Sequence, residues 1–182
     1  MYSGSGRAYQ SFGFGQTADA VYLPVGLAAG GAGIAGPGGT GDIKLVESYG
    51  ARGAFNHNWD PAWSTSVWGG AAAVRYNGNA TDIRTAKGQW CANYIASNKL
   101  TAANTSADFS CNPDYNVYMA GVITRWNPVK NMTFSGEVGY FRLDQKMTGA
   151  AAFISPAIKP STVYEYKNQD TAYLNVRVQR NF

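Results

Sequence analysis

The chain closes on a strict alternation. Between Thr171 and Phe182, Ala172, Leu174, Val176, Val178 and Phe182 share one parity, while Tyr173, Asn175, Arg177, Gln179 and Asn181 share the other. A period of two marks a strand with one face out of water. The polar face carries an arginine and amides, and the chain stops on an aromatic residue. A strand ending at a membrane interface can stop this way, with Phe182 in an aromatic girdle.

The same alternation returns upstream. Tyr49, Ala51, Gly53, Phe55, His57 and Trp59 form one face, and Ser48, Gly50, Arg52, Ala54, Asn56 and Asn58 the other. Trp59-Asp60-Pro61-Ala62 reads as a tight turn, because proline cannot donate to a ladder and Asp-Pro favours reversal. The return strand runs from Trp63 to Tyr76. A second strand, Tyr118 to Trp126, leads into Asn127-Pro128-Val129-Lys130, also read as a turn, and back along Met132 to Phe141. Aligning Trp59-Asp60-Pro61 on Trp126-Asn127-Pro128 superimposes the apolar parity of both return strands. Two such hairpins are expected of a meander that closes on itself.

These segments predict an all-β, antiparallel meander of about six strands, if residues 8–22 form the first. Residues 1–42 read as a weak strand followed by a Gly/Pro-rich loop at 23–42, and 43–182 as five strands. The Trp-containing turns are short, whereas the connections at 77–114 and 145–170 are long. Short turns at one end and long loops at the other are the asymmetry of a transmembrane β-barrel.

Charge placement tests the pattern. An arginine or lysine on the lipid face costs about 2–4 kcal/mol at the bilayer midplane and little at the interfaces. Arg52, Arg125, Glu137 and Arg177 have the polar parity and are the candidate pore-lining residues. The charged or titratable residues of apolar parity, His57, Arg75, Arg142 and Arg180, all fall near strand ends. Around 115–126, Val117, Met119 and Ile123 compete for the outward face, and placing Arg125 inside fixes the choice. Trp59, Trp63, Trp126 and Phe182 gather at the short-turn end as a candidate aromatic girdle.

Composition agrees with a barrel. Only 14% of the 182 residues are charged, aromatics are plentiful, and glycine is abundant at 22. Mean hydropathy is −0.26, and no run approaches the ~18 apolar residues of a spanning helix. The net charge of +4 is spread along the chain, which argues against a nucleic-acid partner. Cys91 and Cys111 bracket a polar, turn-rich segment and read as a disulfide. A single histidine leaves too few ligands for zinc, so neither metal nor cofactor is expected. His57 lacks a serine on its own face, so no hydrolytic dyad is indicated and no enzyme activity is expected. Asp60 and Asp114, each beside a proline, read as turn residues.

Several stretches carry a resemblance: Ser48 to Trp63 (SYGARGAFNHNWDPAW), Val74 to Asn77, Cys111 to Tyr115, Thr124 to Asn131 (TRWNPVKN) and Leu143 to Lys146. Together they resemble the C-terminal part of alphaproteobacterial (rhizobial-type) general porins, over about 43–182. The resemblance implies part of a 16-stranded transmembrane barrel, assembled as a homotrimer in the outer-membrane lipid and passing small hydrophilic solutes and ions by diffusion. That family also carries a signal peptide and an N-terminal constriction loop, neither of which is visible here, so the chain is expected to be a fragment. Two other expectations compete: an autonomous small outer-membrane barrel that binds or adheres through its loops, and a soluble β-sandwich.

Overall fold

A computed structural model of the chain describes residues 19–23, 41–153 and 162–181. The body is an antiparallel five-stranded sheet in the order β3-β4-β5-β6-β9. Its strands are β3 (Glu47–Asn58), β4 (Trp63–Arg75), β5 (Tyr115–Val129), β6 (Met132–Gln145) and β9 (Gln169–Arg180). Each holds 12 to 15 residues. A tilted strand needs about 9–11 residues to cross hydrocarbon, whereas strands of soluble domains average about 5–6. The fold class read from alternation therefore stands: an all-β meander.

The register is continuous where it can be followed. β6 and β9 pair from Met132 opposite Arg180 to Leu143 opposite Gln169. β4 and β5 run in opposite senses, since Asn127 N donates to Ala62 O, Trp63 stacks on Trp126, and Thr65 meets Thr124. The β3–β4 turn forms as its residues dictate: Asp60 Oδ1 accepts from the backbone N–H of Ala62 (2.6 Å) and of Trp63 (2.8 Å).

The second turn corrects the sequence expectation. Asn127-Pro128 lies inside β5, and the chain reverses at Lys130 and Asn131. Asn131 takes the left-handed conformation, φ 66°, which asparagine tolerates better than most residues. Two like tripeptides thus adopt different structures.

Two compact units divide the chain. One is the sheet body, residues 50–73, 116–144 and 168–182. The other gathers residues 1–49, 74–115 and 145–167, and its described part is not the pair of bare loops expected. Residues 77–114 contain a helix, α1 (Ala86–Ser97), capped by Thr85, whose hydroxyl accepts from Gly88 N. Residues 145–170 contain a hairpin of β7 (Ala150–Phe153) and β8 (Thr162–Glu165). Val21, Leu23, Val74, Tyr76 and Ala86 form a small core in this unit, flanked by Val46, Trp90 and Tyr115.

The expected first strand, residues 8–22, lies largely outside the described residues. Its end, β1 (Ala20–Tyr22), pairs with β2 (Ile43–Leu45) in a separate two-stranded sheet. Among the described residues, the meander proper therefore has five strands. No described helix is long and apolar enough to cross a membrane, which leaves crossing by strands untouched.

Candidate functional site

The two faces of the sheet differ in kind. On one, Leu174 and Val176 are each 72% exposed and Val138 is 60% exposed, with Phe55, Val67, Val122 and Val178 also bare. Apolar side chains normally dominate a soluble domain's core, and a contiguous bare patch marks an interface or a membrane surface. Cross-strand pairing keeps these residues together: Phe134 faces Val178 and Val138 faces Leu174. In β5, Tyr118, Val122 and Trp126 take this face. Val117, their competitor, takes the other and is buried.

The short-turn end of the apolar face carries the aromatics. Trp63 stacks on Trp126 with ring centroids 5.6 Å apart, and Trp126 meets Phe134 at 5.4 Å. Trp59 Nε1 donates to Thr65 Oγ1 at 3.0 Å, so its polar edge is satisfied. His57 sets its ring against Trp59, with centroids 4.3 Å apart. Phe182, the fourth girdle candidate, lies outside the described residues.

Charges on this face sit at its margins. Arg142 lies opposite Asp170 at 3.9 Å, and Asp170 also accepts from the Tyr140 hydroxyl. Arg180 pairs across from Met132 at the other margin.

The opposite face holds Arg52, Arg125, Glu137 and Arg177. Arg125 Nη1 donates to Ser66 Oγ at 2.7 Å, and Ser66 Oγ donates to Asn56 Oδ1 at 2.6 Å. Arg52 shares this face with Gly70: a side chain added at Gly70 would begin 3.1 Å from Arg52 Cβ. Glu137 pairs with Asn175, and Arg177 with Ser135. Tyr173 lies over Gly139 and donates to Glu137 Oε1 at 3.2 Å. Trp68 lies over Gly121 in the same manner. Sequence reasoning missed Ser66, Trp68, Ser135 and Tyr173. The available signal was parity, which assigns these bulky or hydroxylic residues to the glycine-bearing side.

The second unit is tied by chemistry of its own. Cys91 on α1 and Cys111 are disulfide-bonded, with Cα atoms 5.8 Å apart. Asp114, expected as a turn residue, is buried and joins three segments. Its carboxylate accepts from Lys87 Nζ (2.6 Å) and from Tyr76 N (2.8 Å), and its carbonyl accepts from Lys146 N. Trp90 stacks on Tyr94 at 5.0 Å, and the Tyr94 and Tyr166 hydroxyls are hydrogen-bonded. Burial, then the bond to Tyr94, pushes the Tyr166 hydroxyl well above its ordinary pKa. Among the described residues, no three His, Cys, Asp or Glu side chains gather where they could hold a metal ion.

A long-stranded sheet with a bare apolar face and an arginine-bearing one has the build of a barrel wall. A family model described as the porin subfamily matches residues 3–175. The chain belongs to that porin subfamily. No curated protein and no solved structure matches it. Membership in a porin family carries a channel role and an outer-membrane location.

Proposed function

We propose that this porin chain forms part of the wall of a water-filled channel through which small hydrophilic solutes and ions diffuse passively. The observation that carries the reading is the apolar face of β9, β6 and β5, bare along its length, opposite a face bearing Arg52, Arg125 and Arg177. In this reading Arg52, Arg125, Glu137 and Arg177 line the pore. Trp59, Trp63 and Trp126 form the girdle at one interface. The motifs resemble alphaproteobacterial general porins, so the complete assembly is proposed as a homotrimer of 16-stranded barrels.

A barrel needs about eight strands to close, and the edges of β3 and β9 would otherwise leave backbone groups unpaired in lipid. Further strands, from a longer chain or from other copies, therefore complete the wall. Planar-bilayer recording tests the reading. Stable conductance steps are expected from the complete assembly, and a protein that folds in detergent yet never conducts refutes it.

A second reading has support of its own. The unit holding α1 and the β7–β8 hairpin has its own core and a disulfide, as a binding module carried on surface loops would. Heat-modifiable, SDS-resistant folding of this chain alone, without conductance, favours that alternative.

A further inference from the structure

Across its strands, the arginine-bearing face carries one transverse polar row. Asn56 on β3 accepts from Ser66 on β4, which accepts from Arg125 on β5. Between β5 and β6, Thr133 Oγ1 donates to Asn127 Oδ1 at 2.6 Å, and Trp126 packs on Phe134. In an antiparallel pair one strand steps forward as the other steps back. Both contacts therefore fix one register, and it sets Arg125 across from Ser135. Ser135 is in turn the register partner of Arg177 on β9. The row is Asn56, Ser66, Arg125, Ser135, Arg177.

Neighbouring strands lie about 4.8 Å apart, so the two arginines start roughly 10 Å apart with only a short hydroxyl side chain between them. Arg125 donates to a neutral hydroxyl, that of Ser66. No ion pair joins either arginine to a carboxylate among the described residues. Glu137, the acid of this face, sits one pleat further along β6 and takes the Tyr173 hydroxyl. Two planar forks flanking a small donor suit a ligand with several acceptor oxygens and negative charge.

We propose that Arg125 and Arg177, with Ser135 between them, form a binding step for small oxyanions, solutes bearing a phosphate, sulfate or carboxylate group, and bias this wall toward anions. The inference rests on the channel reading and names the class of solute it favours. Arg177 is the more exposed of the pair and supplies the solvent-facing fork. Arg125 is held by Ser66 and supplies the fixed one. Removing one unit charge about 5 Å from an ion's path in water changes the local ion population roughly two- to fourfold.

The test is reversal potential and inorganic-phosphate block of the conducting assembly in planar bilayers under a potassium chloride gradient. The unaltered protein should prefer chloride over potassium, and phosphate should slow the chloride current. Arg177→Gln should lower the preference two- to fourfold and relieve the block. Glu137→Gln should raise the preference. Arg125→Lys keeps the charge but loses the fork, so it should weaken the phosphate block. If Arg125→Lys fails to fold, Arg177→Gln decides alone. A conducting Arg177→Gln protein with unaltered preference and block overturns the oxyanion step and leaves the channel standing. An unaltered protein that never conducts overturns both.

Discussion

Tyr173 packs its ring over Gly139, its partner on the neighbouring strand. A Cβ placed at Gly139 would sit 2.3 Å from the Tyr173 ring. The glycine makes room for the ring, and the ring in turn carries its hydroxyl to Glu137. Gly139→Val is therefore expected to displace Tyr173 and release Glu137, destabilising the sheet by about 1–3 kcal/mol. Denaturant unfolding of the detergent-refolded protein measures this. Gly139→Val combined with Tyr173→Ala should cost less than the two changes added together, and strict additivity would count against the contact.

The two faces of β9 should respond oppositely to charge. Leu174 and Val176 have apolar parity and Asn175 the polar one. Introduced at Leu174 or Val176, arginine is expected to lower stability in a bilayer by about 2–4 kcal/mol, whereas Asn175→Arg should change it little. Refolding into vesicles with tryptophan fluorescence as the readout separates them. Equal penalties on both faces would sink the membrane reading.

Reduction should loosen one unit and spare the other. The Cys91–Cys111 bond closes a loop with a sequence separation of 20, and opening such a loop costs roughly 3 kcal/mol on the chain-entropy account. Cys91→Ser with Cys111→Ser should render residues 86–111 sensitive to protease while the sheet body keeps its β signal by circular dichroism. Loss of that β signal would show that the sheet depends on the bridge.

Alkaline pH gives a fourth test. Tyr166 has its hydroxyl pKa raised by burial and by Tyr94. An unfolded tyrosine ionises near pH 10, so above that pH the unfolded state releases a proton that the folded state retains. The contribution of Tyr166 is therefore complete below about pH 10 and declines as pH rises toward the folded value. Helix content of the α1 unit should fall above pH 10 in the parent protein. Tyr166→Phe should flatten that fall, and an unchanged profile would remove Tyr166 as its cause.

The faces of β3, β4, β6 and β9 were legible because side chains alternate strictly and one side is nearly all apolar. In β5 both parities are apolar, Val117, Met119 and Ile123 against Tyr118, Val122 and Trp126. Arg125 alone tips the choice in the sequence, and the neighbouring strand agrees, through Thr65 with Thr124 and Trp63 with Trp126. Helix α1 was illegible for a different reason. Gly88 and Asn93 break its local preference, its first turn has no acid and its last no base, and it is held by a disulfide and by packing of Trp90. The turn at Asn131 was missed because Asn127-Pro128 offers the same local chemistry as Asp60-Pro61. The Arg125–Ser135–Arg177 row could not be read because alternation within strands is silent about the register between them.

Arg142 with Asp170 at one margin and Arg180 at the other leave between them an uncharged band on β6 and β9 that holds Phe134, Val138, Leu174 and Val178. Ten residue steps along β6, from Met132 to Arg142, measure about 33 Å, and a strand tilted by about 40° projects that to about 25 Å. In the proposed channel wall these margins act as a ruler for the sheet, matching it to a film of that depth. A thicker bilayer would have to thin locally around the protein or draw the Arg142–Asp170 pair into oil, so this wall is suited to a membrane thinner than average, as the bacterial outer membrane is.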